Sequence, residues 1–232
     1  MKLTWFGHSA FRIEYQGVVV MLDPFLDNPT WDGDNAAAWD GADYVALTHG
    51  HADHIGSTVE IASGTGATVI ANPEICKYLA ELGVTATEAI NHGGELTFDG
   101  FSVAYVPAWH SSSNDSEDGD GRYLGNPGGF IFNAPGQKTL YAMGDTGIFG
   151  DMQLIADIYT PAIGLVPIGD RFTMGGRLAA MACRRFFKFE TVIPCHYATF
   201  GLLDPDERTF EAGLEGSGTR ILVPGRGVTV SL

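Results

Sequence analysis

The sequence predicts an α/β fold in which helices lie outside β-sheet, and three observations carry the prediction. Short apolar runs of strand character alternate with segments of helical spacing, and helices interleaved in this way pack against the faces of a sheet. A hairpin pattern occurs twice, first over residues 3–22 and again over 129–143. Each copy closes on an aspartate, Asp23 and Asp145, which points to two similar halves that each contribute one sheet. The length of 232 residues, with 45% hydrophobic and 18% charged residues, suits a single domain over 1–232 with a sizeable core.

In chain order, the first hairpin reads as a strand over residues 3–15, a turn at Gln16 and Gly17, and a β-branched run over 18–22 that Asp23 and Pro24 end. Residues 43–47 form the next apolar run. Asn72 and Pro73 look like an N-cap and a first-turn proline; Ile75, Leu79 and Leu82 follow at helical spacing, and Gly83 supplies the stop. A strand is expected over 101–106. Residues 111–127 are almost free of apolar side chains and read as a long mobile loop that could serve as a lid over whatever His110 belongs to. Its acidic residues Glu117, Asp118 and Asp120 miss the spacing of a calcium loop and lack the closing glutamate. The second hairpin runs over 129–134 and 139–143 around a turn at Pro135, Gly136 and Gln137. Asp151 is then expected to cap a helix bearing Met152, Ile155 and Ile158. An apolar run over 164–168 precedes a helix over 177–189 with Leu178, Met181, Ala182, Phe186 and Phe189 as its apolar stripe. A strand over 191–193 and a helix after Pro205, through Phe210 and Leu214, complete the chain.

The net charge of −15, from 28 acidic against 13 basic side chains, leaves no basic face to neutralise phosphates, so a nucleic-acid partner is not expected. Solubility accounts for the acidity. Cys76, Cys183 and Cys195 are odd in number and widely spaced, as in a reducing compartment, and read as small buried residues. The first thirteen residues lack a basic start followed by an apolar stretch, and no apolar run is long enough to cross a bilayer. A cytoplasmic location without a membrane partner is therefore expected.

The chemistry concentrates where an apolar strand runs straight into His49, His51, Asp53 and His54. Residues two apart in extended backbone face the same way, so His49 and His51 can converge on one ion. Asp53 and His54, where the chain turns, project towards a second. Imidazole and carboxylate suit zinc, manganese or iron. His110, Asp145 and His196 each stand at or just beyond the end of an apolar run, and strands sharing a direction would bring those ends to one edge, where open α/β folds keep their sites.

The pattern His-x-His-x-Asp-His at 49–54, with the later His110, Asp145 and His196, resembles the metallo-β-lactamase superfamily, and the resemblance covers nearly the whole chain. It implies a four-layer αββα sandwich, with His49, His51 and His110 on a first metal, Asp53, His54 and His196 on a second, and Asp145 bridging. Phe6-Gly7-His8-Ser9, Leu22-Asp23-Pro24-Phe25, the stretch over 167–175 and Pro194-Cys195-His196-Tyr197 are similar to uncharacterised metal-dependent hydrolases related to L-ascorbate-6-phosphate lactonase. The implied activity is a hydrolase in which two divalent cations, zinc or manganese, supply hydroxide that attacks an ester, lactone, amide or phosphodiester of a small molecule.

Asp53 and His8 are the candidates for proton handling, although a lone histidine such as His8 is more often structural. Asp23 is expected to orient a ligand loop by hydrogen bonds. Arg171 could meet an anionic group of the substrate or sit in a surface salt bridge, and Tyr197 could contact substrate or pack. Competing readings are a di-iron redox protein and a metal-binding protein without turnover. A nuclease is disfavoured by the acidic balance and a β-lactamase by the want of a leader. A homo-oligomer is compatible with the sequence.

Overall fold

The computed structural model of the chain describes residues 1–114 and 121–232. The acidic core of the expected lid, with Glu117, Asp118 and Asp120, lies outside the described residues.

β-Branched and aromatic residues on alternating faces build two seven-stranded sheets. The first holds β1 (Lys2–Trp5), β2 (Phe11–Tyr15), β3 (Val18–Leu22), β4 (Tyr44–Ala46), β5 (Thr68–Ala71) and β6 (Thr87–Ala89), with the last strand of the chain, β16 (Thr229–Ser231), beside β1. The second holds β7 (Glu95–Phe98), β8 (Phe101–Pro107), β11 (Gly128–Asn133), β12 (Leu140–Ala142), β13 (Ile163–Pro167), β14 (Thr191–Cys195) and β15 (Arg220–Ile221), in the order β15-β14-β13-β12-β11-β8-β7. A short ribbon pairs β9 (Ser113–Asn114) with β10 (Arg122–Tyr123), so the described ends of the expected loop are pinned as a hairpin.

The two sheets repeat one topology. β1, β2 and β3 are antiparallel and β3 to β6 parallel. Likewise β8, β11 and β12 are antiparallel and β12 to β15 parallel. Two antiparallel steps restore direction, so β1, β3 and β4 end on the same edge of the first sheet, and β8, β12 and β14 on one edge of the second.

Period-two alternation then decides the layers. Val20 and Leu22 face inward and share one core cluster with Phe130, Phe132 and Leu140 of the second sheet, whereas Val19 and Met21 face outward with Val45 and Val69. Two helices, α3 (Thr58–Thr65) and α4 (Pro73–Glu81), cover that outer face through Ile61, Ile75 and Leu79. Asn72 caps α4 as expected, accepting from the Ile75 amide at 2.9 Å. α5 (Met152–Tyr159), α6 (Gly176–Phe186) and α7 (Arg208–Leu214) close the other side, giving the αββα order. β13 and β14 are buried on both faces, as parallel strands under helices must be. The short α1 (Asn35–Trp39) and α2 (Ala52–Ile55) complete the set. Among the described residues no helix is long and apolar enough to cross a membrane.

Three expectations need correction. Residues 3–15 are not one strand: β1 and β2 are separated by a tight turn at 6–10, with Gly7 at φ 99° and His8 at φ 47°. A side chain on Gly7 would overlap Thr30 and Asn28, at 2.2 and 2.7 Å, so the turn depends on glycine. α6 ends at Phe186, and its buried face is the small residues Ala179, Ala180, Ala182 and Cys183, while Met181 is 43% exposed. Phe187 and Phe189 lie beyond it, stacked on each other at 4.6 Å. Asp151 makes no side-chain cap to α5, and Ile158 is exposed. α1 and α3 had no expectation in the sequence.

Candidate metal centre

One buried carboxylate shapes the loop that carries most of the donors. Asp23, just past β3 and at φ 42°, accepts from the Thr48 amide through Oδ1 at 2.8 Å and from the Thr48 hydroxyl through Oδ2 at 2.7 Å. The same Oδ2 lies 2.8 Å from His54 Nδ1. Asp23 thereby ties the end of β3 to both the loop after β4 and α2. The loop has no room for bulk: a Cβ on Gly50 would stand 2.5 Å from the Leu124 side chain, and the Gly50 amide donates to Ser112 Oγ at 3.0 Å. Across the sandwich Gly144, at φ 63°, delivers Asp145, and a Cβ there would meet Gly128 O at 2.6 Å.

These constraints bring the distant candidates together. His49 Nε2 and His110 Nε2 lie 2.9 and 3.3 Å from His51 Nδ1. Asp145 Oδ2 stands 2.8 Å from His196 Nε2 and 3.6 Å from His110 Nε2, and its Oδ1 is 3.4 Å from His54 Nε2. Donor atoms within 4.8 Å of one another fall into three overlapping groups among the described residues: His49, His51 and His110; His49, His54 and Asp145; and His8, Asp53, His54 and His196. All seven sequence candidates for ligation belong to at least one group, and His8 joins the third.

The donors fit a cation better than they fit each other. Buried polar atoms ordinarily find partners, yet His54 Nε2, Asp145 Oδ1 and His196 Nδ1 are buried without a hydrogen bond. His54 has already spent Nδ1 on Asp23, which turns Nε2 towards Asp145, the arrangement by which a carboxylate orients a ligating imidazole.

Electrostatics point the same way. Burial lowers His49 well below its ordinary range and takes His8 and His110 down to about 4, leaving neutral rings whose lone pairs can coordinate. For His54 burial is the largest single influence and opposes charge, but Asp145 and Asp23 together outweigh it and hold the ring well above its usual value. For Asp145 burial disfavours ionisation, and His196 and His54 reverse that and keep it well below the carboxylate range. Burial likewise opposes charge on Asp53, and the His8 hydrogen bond and His54 overcome it, so this carboxyl too is ionised. Two buried carboxylates flanking His54 demand positive charge at the point where the imidazole nitrogens converge.

The donors floor a cavity of about 470 Å³ reached by His51, Asp53, His110, Asp145 and His196 and walled by Phe25, Phe172 and Phe200. The remaining candidates lie outside the cavity lining. His8 is fully buried behind Asp53, with Nε2 3.0 Å from Asp53 Oδ2 and Nδ1 3.0 Å from Thr199 Oγ1. Arg171 is exposed at φ 21° outside the cavity lining, and its neighbour Phe172 lines the cavity instead. Tyr197 is buried outside the lining, its ring 5.6 Å from Trp5 and its hydroxyl facing Glu207 and Arg226, so it packs. Cys195 is buried, joins none of the donor groups, and burial pushes its thiol well up. Thr48, Thr199, Ser112 and the aromatic wall were not singled out in the sequence. Thr48 precedes His49 directly and Phe172 lies in the 167–175 stretch, but neither residue type signals a site without its neighbours in space.

Comparison with known proteins gives a consistent picture. The β-lactamase superfamily domain family matches over residues 2–196. A protein of Mesorhizobium japonicum named as a UPF0173 metal-dependent hydrolase is 51% identical over 235 residues, covering 100% of both chains. A metal-dependent hydrolase of Chelativorans is 52% identical, again over 100% of each. Among solved structures, the metallo hydrolase Igni18 of the hyperthermophilic archaeon Ignicoccus hospitalis superposes with a TM-score of 0.87 at 35% identity, covering 100% of this chain and 98% of that one. An isothiocyanate hydrolase from Delia radicum gut bacteria, at 21% identity and a TM-score of 0.79 over 100% and 99% of the chains, shares the fold.

Proposed function

The chain belongs to the β-lactamase superfamily domain family and is a metal-dependent hydrolase, and from that premise we propose that it cleaves an ester, lactone or phosphodiester bond of a small molecule using two divalent cations, zinc or manganese. The observation that carries this proposal is the place of Asp145, whose two oxygens lie within 3.6 Å of His54, His110 and His196 and so stand between the two sets of imidazoles. His49, His51 and His110 would hold one cation and Asp53, His54 and His196 the other, with Asp145 shared. When bound, the cations supply the Lewis acidity that lowers the pKa of water and polarises the oxygen of the bond under attack, which removes the need for a serine or cysteine nucleophile.

The chain's own side chains do the positioning. Asp23 holds Thr48 and His54, and through them the ligand loop, in one geometry. Asp53 at the cavity floor and the buried His8 behind it form an imidazole–carboxylate pair in which His8 Nε2–H donates to the ionised Asp53 Oδ2. Thr199 steadies the far side of the His8 ring. The cavity volume of about 470 Å³ suits a small molecule, and the acidic chain disfavours a polyanion.

Metal analysis of the purified protein, followed by a screen of lactones, thioesters and simple phosphodiesters in zinc and in manganese, tests the proposal. The expected result is close to two equivalents of metal and turnover that falls on the order of a hundredfold or more in His51→Ala and Asp145→Ala with the fold intact. A full metal load with no turnover of any of these substrates would favour the reading of a metal-binding protein instead.

A further inference from the structure

We infer that the group flanking the reacting bond of the substrate is uncharged and apolar, an aryl or alkyl acyl group carried by an ester or lactone. This rests on the hydrolase function proposed above and narrows it to a substrate class.

The cavity has two kinds of surface. Its floor is the donor cluster, and Ser111 adds a hydroxyl 3.3 Å from His51 Nε2. Its wall is Phe25, Phe172 and Phe200, of which Phe172 is 52% and Phe200 39% exposed. Large aromatic rings left in water at the mouth of a pocket recover hydrophobic stabilisation only when something apolar covers them.

This wall is built in advance. Phe25 and Phe200 lie 6.3 Å apart between ring centroids and are braced from behind by the fully buried His8 ring at 5.8 and 5.5 Å. Phe172 stands on a turn with Asp170 and Arg171 at positive φ, and a bridge between Gly169 and Gly175 closes the turn. The Met174 amide anchors the turn to Thr146 O at 3.0 Å. A preformed aromatic wall loses little freedom on binding, which favours a rigid apolar partner.

Charge argues against the alternative. Among the described residues the cavity lining holds no lysine or arginine, and Arg171 lies outside it. Away from the cations, a carboxylate or phosphate beyond the reacting bond would therefore meet no lysine or arginine among the described lining residues, in a chain of net charge −15.

The test compares methyl phenylacetate, methyl acetate and monomethyl succinate as substrates of the manganese-loaded and zinc-loaded protein. It also measures binding of phenylacetamide, a neutral aromatic amide, to the metal-free protein by ligand-observed NMR. The expected kcat/KM for methyl phenylacetate exceeds that for monomethyl succinate by at least about tenfold, the effect of roughly one well-packed apolar group. Phe172→Ala and Phe200→Ala should lower the phenylacetate-to-acetate ratio several-fold with metal content unchanged, and Phe172→Leu should restore most of it. Both alanine variants should weaken phenylacetamide binding. Preference for the succinate ester, or phenylacetamide binding that is absent or equal in wild type and Phe172→Ala, overturns the inference. Absence of turnover on all three esters, with phenylacetamide still bound and released by Phe172→Ala, instead overturns the ester-cleaving reading and leaves the apolar subsite standing.

Discussion

Asp23 holds the ligand loop in place, because one carboxylate satisfies the Thr48 amide, the Thr48 hydroxyl and His54 Nδ1. Asp23→Asn replaces an acceptor with an amide nitrogen that can only donate, opposite groups that themselves donate. The variant should lose about 1–3 kcal/mol of stability, read from urea unfolding. Its metal content or turnover should fall about 10–100-fold, the usual penalty for removing a group that orients a metal ligand. The imidazoles themselves were legible in the sequence because His49, His51, Asp53 and His54 crowd into one short segment, which few structural reasons produce. Arg171 and Tyr197 were not separable there from their packing alternatives. A side chain's direction at a positive-φ turn, as at Arg171, and its burial against Trp5, as at Tyr197, depend on neighbours remote in the chain.

At the scale of elements, the turn between β1 and β2 decides whether His8 reaches the site at all. Gly7→Ala would place a methyl where Thr30 and Asn28 already stand and force a β-carbon into φ 99°. A loss of about 1–3 kcal/mol is expected, together with reduced activity from a displaced His8, measurable by unfolding midpoint and by turnover. Apolar residues on both sides, Trp5 and Phe6 before it and Ala10 and Phe11 after it, hide this turn, whose local signals are the short stretch Gly7-His8-Ser9. α6 teaches a related lesson. Its larger apolar residues suggest a stripe through Met181, but α6 approaches α7 so closely that a Cβ on Gly213 would fall 2.5 Å from that of Ala180. Small residues therefore own the buried face. Met181→Lys should change stability by no more than about 0.5 kcal/mol, whereas Ala180→Leu should lower it by about 1–3 kcal/mol through overpacking, as thermal or denaturant melts would show.

Across the whole molecule, the repeated topology sends the ends of β1, β3, β4, β8, β12 and β14 to one place, and that convergence concentrates buried imidazoles and carboxylates whose mutual demands are unmet without a cation. Ligand binding to the folded state alone stabilises it by mass action, about 2.7 kcal/mol at a hundredfold excess over Kd. Dialysis against a chelator should therefore lower the unfolding midpoint of the wild type by several degrees, and zinc or manganese should restore it. Asp145→Ala should show little of this response. An unchanged midpoint in the wild type would speak against cation binding at the cluster.

The α/β class and the placing of candidate donors at strand ends were legible in local pattern, because each depends on residues a few positions apart. Two hairpins ending on Asp23 and Asp145 already announced the duplicated sheet. What only the folded chain decided is which side chains share a cavity: Phe25, Phe172 and Phe200 come from three separate loops, and His8 pairs with Asp53 across 45 positions. Periodicity records which face of an element is buried. It carries no information about which distant element buries it, and that second fact is what assembles the cavity.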